Sequence, residues 1–330
     1  MAAFAYGLLA DVPFFRNATF SENTKRSYRT HRNTYFKFCE MLSVSTAPAP
    51  TSLLCLYAAY LARFLLPQSV CVYINFVGLF QRELGLSNPL SDNWTLSTVL
   101  KGIKHTLGVP PKPKLPITVD LLLRVRSRLN LNGSKHASFW AICLVAFFGL
   151  FRKAHLLPGS ESSFNPARMF TRADISLVDS CIYITVRWSK TIQLGQRVVT
   201  IPLVAIPNSP LCPVSAVAHA FRYTRGCSDV YQAFAWRDSA HQQHRVFTYK
   251  AFTDTLKGIL CELGVSPDLY GTHSFRRGGA TFALEAGVPL DTISLLGDWK
   301  SDAMFLYLHM PLSQRVAAQR VMASRLSGYS

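Results

Sequence analysis

The stretch Val109-Pro110-Pro111-Lys112-Pro113-Lys114-Leu115-Pro116 decides how the chain is organised, because four of its seven positions from 110 to 116 are proline. Each proline holds φ at about −65°, removes a backbone donor and drives the preceding residue out of the helical region, so the stretch reads as an extended, semi-rigid linker. A chain of 330 residues is about twice a typical domain and leaves room for a core on either side. The sequence therefore predicts a helical N-terminal domain over 1–108, a linker over 109–116 and a second domain over 117–330.

Working upstream, apolar residues recur with helical spacing near 21–43, 51–66, 69–84 and 93–107. Ser21 or Asn23 can cap the first of these helices, and Tyr28, Tyr35, Cys39 and Leu42 fall on one apolar face. Lys25, Arg29 and Arg32 line another face, with Arg26 and Lys37 beside it. Glu22 and Glu40 lie at the ends with no acid between, so the stripe is not relieved by pairing along the helix and points to phosphate contact. The fourth helix repeats the pattern, with Leu96, Leu100, Ile103 and Leu107 inward and Lys101 and Lys104 outward. Lys112 and Lys114 add cations in the linker.

Downstream, helices are expected near 118–130 and 137–150, after which the period changes. Residues 181–188 and 198–203 are rich in β-branched and aromatic residues around a turn containing Gly195, which predicts a hairpin. Helical segments then return from Ser209 onward, near 248–264, 274–286, 289–297, 301–309 and 312–326. The fold class expected is mainly α with one small antiparallel β-sheet in the C-terminal domain.

Composition narrows the function. Residues 1–110 hold 10 Lys and Arg against 5 Asp and Glu, residues 111–330 hold 25 against 13, and the whole chain carries +17. With 49% apolar and only 16% charged residues, the chain can build cores, and disorder is excluded. A surplus of cations on an otherwise sparsely charged chain points to a polyanionic partner. The longest apolar run, Phe139–Phe151, has 13 residues, short of the roughly 20 that cross a bilayer, and residues 53–66 carry Arg63. Met1–Phe15 has no basic residue before its apolar part and is broken by Asp11 and Pro13, a poor signal peptide, so an intracellular protein without membrane contact is expected. Eight cysteines at least 15 residues apart, with no C-x-x-C, argue against zinc clusters and disulfides and for reduced, mostly buried thiols.

Polar residues set in apolar surroundings are the candidates for chemistry. Arg152 follows the 13-residue apolar run directly, and Lys190 lies in the hairpin turn Trp188-Ser189-Lys190-Thr191. In Gly271-Thr272-His273-Ser274-Phe275-Arg276-Arg277-Gly278-Gly279, His273 and Arg276 share a helical face. Gly297-Asp298-Trp299-Lys300 then precedes an apolar turn with Tyr307.

This series, Arg152, Lys190 in a hairpin, His273-x-x-Arg276, Trp299 and Tyr307, resembles the active-site series of the tyrosine recombinases, the family of phage integrases and of Cre-like and Xer-like recombinases. The segments 273–281 and 296–303 look most like the variants in eukaryotic mobile elements of the DIRS, Ngaro and Crypton groups. The resemblance spans the chain, since the family joins a helical core-binding, SAM-like domain through a linker to an α+β catalytic domain. It implies cleavage and rejoining of double-stranded DNA through a 3′-phosphotyrosyl intermediate on Tyr307, without metal or other cofactor, and strand exchange in a tetramer of protomers on DNA. For an element of this kind it also implies residence in the nucleus. Arg152 and Arg276 would clamp the nonbridging oxygens, as guanidiniums stay charged and bind bidentately. Lys190 would act as general acid on the 5′ oxygen, His273 as base or phosphate donor, and Trp299 as a further donor.

Two positions depart from the family pattern. His155 stands where an acid usually follows the first arginine by three residues, and Tyr307 follows Trp299 by eight residues, where bacterial members commonly have nine. Type IB topoisomerase-like relaxation and an inactive, domesticated DNA-binding protein remain the alternative readings.

Overall fold

Two separate units build the chain in the computed structural model, Met1–Pro111 and Lys112–Ser330. The structure describes residues 2–110, 114–189, 192, 198–300, 304–305, 308, 316, 319–321 and 323–324.

The first unit is helical throughout its regular elements: α1 (Ala2–Ala18), α2 (Glu22–Met41), α3 (Thr51–Leu61), α4 (Pro67–Glu83) and α5 (Trp94–Leu107). Ser21 caps α2 by accepting from the Thr24 amide, and Asn93 caps α5 by accepting from the Leu96 amide at 3.0 Å. The Asn93 amide group also donates to Thr51 Oγ1 at 3.0 Å, tying the start of α5 to the start of α3. Tyr35, Phe38 and Cys39 of α2 pack on Leu54 and Tyr57 of α3 and on Ile74 and Val77 of α4 to form the core. Leu42, expected on that face, is the exposed C-cap of α2, because the helix ends at Met41. Leu107 is exposed too. Helix α1 was not expected: its apolar residues lack a helical period and Pro13 lies inside it.

The second unit opens with α6 (Val119–Ser127), capped by the Thr118 hydroxyl, and α7 (Ser134–Phe148). Helix α7 is buried nearly all round, from Ala137 to Phe147, which explains a run without amphipathic alternation. The four-residue α8 (Lys153–Leu156) follows. The expected hairpin forms from β2 (Cys181–Val186) and β3 (Val199–Val204), with Ile184 opposite Ile201. Here the structure corrects the sequence reading twice. A third strand, β1 (Ile175–Val178), joins antiparallel to β2, and after α9 (Pro213–Tyr223) a separate ribbon pairs β4 (Trp236–Asp238) with β5 (Gln243–Arg245). Strands of three or four residues are too short to show a period of two against their neighbours. Helices α10 (Tyr249–Glu262), α11 (Thr272–Glu285) and α12 (Leu290–Leu296) follow, residues 316, 319–321 and 323–324 are helical, and most of the expected segments 301–309 and 312–326 lie outside the described residues.

Phe139, Phe147, Phe252 and Phe275 join the inward residues of the three-stranded sheet, Ile182, Ile184 and Ile201, in one core around α7. A second, smaller cluster gathers Leu150, Ala280, Ile293, Trp299 and Met304. All eight cysteines are free, but only Cys39, Cys143 and Cys212 are buried, fewer than expected, since Cys71 and Cys261 point outward from their helices. No helix among the described residues is long and apolar enough to cross a membrane.

Candidate active site

The site is built where α7 stops. Gly149 caps the helix and Leu150 takes the left-handed conformation, φ 51°, so the chain turns sharply. A Cβ on Gly149 would enter the Phe151 ring, 2.6 Å from its Cδ2, and lie 2.9 Å from the Val145 carbonyl, so only glycine lets the turn close this tightly. Arg152 emerges from the turn as the N-cap residue of α8, with its side chain 20% exposed. Its Nη2 donates to the Asp298 carbonyl at 3.1 Å, and its Nη1 lies 3.7 Å from Asp298 Oδ2.

Helix α11 brings His273 and Arg276 to the same place. The Ile117 amide donates to the Ser274 carbonyl at 2.9 Å, and Gly278 and Gly279 let the helix approach backbone directly. A Cβ on Gly278 would collide with the Ile117 carbonyl, and one on Gly279 with the Phe147 carbonyl and, at 2.8 Å, with Leu150 Cδ2. This close packing is the physical content of the Arg276-Arg277-Gly278-Gly279 stretch. Arg276 is 1% exposed. Its Nη1 donates to the Leu150 carbonyl, its Nη2 donates to the Gly297 carbonyl at 2.5 Å, and its guanidinium lies 3.7 Å from the centre of the Trp299 ring. The two arginines thus stand in different places: Arg152 reaches the surface, whereas Arg276 is enclosed and ties the end of α7 to the turn after α12.

His273 is exposed one turn before Arg276, and partial desolvation together with the charges of Lys153, Arg276 and Arg152 holds its imidazole below the usual histidine range. Trp299 is held by its backbone, whose amide donates to the Ser294 carbonyl at 3.0 Å. Lys190 and Tyr307 lie outside the described residues. Their neighbours in the chain are placed: Ser189 pairs with Ile192, while Met304 and Leu308 belong to the cluster that contains Trp299. Four of the six catalytic candidates, Arg152, His273, Arg276 and Trp299, are therefore brought together from three separate stretches.

Sequence reasoning passed over Asp298 and recorded His155 only as a departure. Asp298 Oδ2 accepts from Ser189 Oγ at 2.6 Å besides facing Arg152. His155 is 4% exposed, and burial, with the charges of Arg152 and Arg276, pushes its pKa down to about 4, so it is neutral at physiological pH. The signal for Asp298 was available: an acid set directly between glycine and tryptophan in the segment already singled out for Trp299. Among the described residues no group of three His, Cys, Asp or Glu is placed to hold a metal ion.

Of the candidate DNA contacts, Arg26, Arg29, Arg32 and Lys37 on α2 and Lys101 and Lys104 on α5 are exposed. The expectation that the stripe finds no pairing along its own helix is corrected at its first cation, because the Lys25 ammonium donates to Glu22 at 2.8 Å across the first turn, an i,i+3 pair. A groove of about 690 Å³ runs along Arg26, Arg29, Arg32, Phe36 and Phe80. Lys114 gives its ammonium to the Asp268 carbonyl, which anchors the start of the second unit, and Lys112 lies outside the described residues.

The fold is that of the tyrosine recombinases. The Tn1549 transposon integrase, solved with transposon right end DNA, superposes with a TM-score of 0.60 at 15% identity, over 95% of this chain and 98% of that one. A lambda integrase dimer bound to a COC′ core site gives 0.53 at 14%, over 92% and 94%. XerH bound to a palindromic difH substrate gives 0.52 at 11%, over 89% and 77%. No protein-family model and no curated protein sequence matches the chain.

Proposed function

We propose that this chain breaks and rejoins DNA strands as a site-specific recombinase, with Tyr307 as nucleophile. The observation that carries the reading is the convergence of Arg152, His273, Arg276 and Trp299 at the end of α7, on a fold shared with the Tn1549 and lambda integrases, both solved with DNA. In the cleavage step the Tyr307 oxygen forms a bond to phosphorus as the bond from phosphorus to the 5′ oxygen breaks. A tyrosine is protonated at neutral pH, so its proton must leave, and the imidazole of His273, whose charged form is disfavoured by partial burial and then by Lys153, Arg276 and Arg152, is the group placed to take it. The 5′ oxygen receives a proton from the Lys190 ammonium. Arg152 meets the charge that builds on the nonbridging oxygens, and removal of one such preorganised donor costs about 3–4 kcal/mol in the transition state. Arg276 fixes the frame in which Arg152 and Trp299 stand.

The 3′-phosphotyrosyl ester keeps the energy of the broken bond, so a 5′ hydroxyl can reverse the attack and join a new partner strand. The exposed cations of α2 and α5 hold duplex backbone during the exchange. The setting we infer is a tetramer on two duplexes, serving integration or excision of a eukaryotic mobile element of the DIRS, Ngaro or Crypton type in the nucleus. A nicked suicide duplex tests the chemistry, because loss of the short strand traps protein on DNA. Wild-type chain is expected to form the covalent adduct and Tyr307→Phe to bind DNA without forming it; undiminished adduct from Tyr307→Phe refutes the assignment.

A further inference from the structure

We propose that Asp298 is a positioning residue for strand cleavage, the carboxylate that sets Arg152 and Ser189, the residue directly before Lys190 in the chain, in one fixed relation. The proposal rests on the reading of the chain as a DNA-breaking enzyme. Asp298 touches both partners at once. Its carbonyl accepts from Arg152 Nη2 at 3.1 Å, its Oδ2 lies 3.7 Å from Arg152 Nη1, and the same Oδ2 accepts from Ser189 Oγ at 2.6 Å. Ser189 is itself locked: it is fully buried, its hydroxyl accepts from the Ile192 amide at 3.1 Å, and its backbone exchanges hydrogen bonds with Ile192 in both directions at 3.1 Å. Lys190 follows Ser189 directly in the chain.

The chemistry gives this link its purpose. A proton donor and a cation that act on one phosphate must be placed together, and a misplacement of about 1 Å costs roughly a hundredfold in rate. One carboxylate that grips both the arginine and Ser189, the residue before the lysine, removes that freedom. Among the described residues no other anion takes the task. His155, three residues after Arg152, is enclosed, lies against Phe151 and Phe170, and has no hydrogen-bond partner for either ring nitrogen among the described residues. Asp174 is engaged by Arg187 at 2.6 Å. Among the described residues Asp298 is the ion-pair partner of Arg152.

The backbone at Asp298 supplies clean variants. Its φ of 51° lies in the left-handed region, which asparagine and glycine adopt readily, so Asp298→Asn and Asp298→Gly remove the charge without disturbing the turn. Single-turnover cleavage of the nicked suicide duplex is expected to slow about tenfold in Asp298→Asn and about a hundredfold in Asp298→Gly, with DNA affinity unchanged. In an Arg152→Ala background Asp298→Asn should cost no more than Ser189→Ala costs alone, a coupling that a merely structural residue would not produce. Ser189→Ala, which cuts only the link to the chain directly before Lys190, should slow cleavage by a smaller factor. Variants within twofold of wild type, or an Asp298→Asn penalty that persists in full without Arg152, overturn the proposal. A wild-type chain that forms no adduct brings down the enzymatic reading and this one with it, whereas wild-type adduct matched by Asp298→Asn brings down this one alone.

Discussion

Replacing Arg276 by lysine tests whether this arginine is a structural bolt as well as a catalytic candidate. The guanidinium is a flat fork whose two arms reach two carbonyls, Leu150 on the turn after α7 and Gly297 on the turn after α12, while its face lies 3.7 Å from the Trp299 ring. An ammonium can follow one arm only. It retains the charge, and with it the desolvation cost at a site 1% exposed, but gives up one charge-assisted hydrogen bond, about 1.5–3 kcal/mol, and most of a buried cation–π contact, about 2 kcal/mol. One carbonyl is also left without this donor. The expected loss is therefore about 3–5 kcal/mol, a third or more of the stability that a domain ordinarily has.

Urea unfolding of the full chain, followed by circular dichroism and by tryptophan fluorescence, reads this directly. Arg276→Lys should lower the midpoint of the transition assigned to the second unit and leave that of the first unit in place, with unchanged slopes. A variant within about 0.5 kcal/mol of wild type refutes the account, because surface arginines behave that way and buried forks do not. The result also decides how activity is to be read. If the loss is as large as the contacts imply, a silent Arg276 variant reports a displaced frame as much as a missing phosphate ligand.

Three further outcomes follow from named contacts. His155 has a folded pKa of about 4 against an unfolded value near 6.5, so between these pH values the unfolded chain binds more protons and stability falls as pH drops through the window, by about 3 kcal/mol in all; unfolding midpoints measured from pH 7 to 4 should decline less steeply in His155→Phe, and equal slopes would contradict the assignment. Gly279→Ala puts a methyl group against the Phe147 carbonyl and Leu150, forcing α11 off α7 at a cost of about 1–3 kcal/mol, and thermal unfolding should show a lowered melting temperature. Arg26→Ala combined with Arg29→Ala should weaken DNA binding equally on cognate and random duplexes and flatten the slope of log affinity against log salt by about 0.9 for each phosphate that the two arginines neutralise; an unchanged slope removes α2 from the DNA surface.

Helices were legible wherever one face repeats and an end is marked. Ser21, Asn93, Thr118 and Thr248 cap α2, α5, α6 and α10, and the expected ends of those helices lie within a few residues of the observed ones. Elements without such marks went unread: α1 has no period, and β1, β4 and β5 are too short to display one. In the site, residue identity was legible and burial was not. Arg276 reads from sequence as a cation aimed at phosphate, because nothing local says that α11 presses through Gly278 and Gly279 onto the Ile117 and Phe147 carbonyls and carries the arginine inside. Asp298 escaped notice because its two partners, Arg152 and Ser189, lie more than a hundred residues away in the chain.

The tripeptide Gly297-Asp298-Trp299 explains why the two arginines divide their work. Gly297 is required, since a Cβ there would enter the Trp299 ring, 2.6 Å from Cη2. With the ring folded back, the Gly297 carbonyl faces Arg276 and the Trp299 face covers the same guanidinium, so the inner arginine is held on two sides by one turn. That geometry forces Asp298 into the left-handed region, as the geometry after α7 forces Leu150, and each such residue costs roughly 1–2 kcal/mol. Both strained turns lie at carbonyls that receive Arg276, whose charge-assisted hydrogen bonds offset the strain. With Arg276 committed inward, Asp298 points its carboxylate at Arg152, the arginine left with a face toward solvent. The inner cation therefore sets the turn, the turn places the carboxylate, and the carboxylate holds the outer cation at the solvent-facing side, where the proposed cleavage needs it.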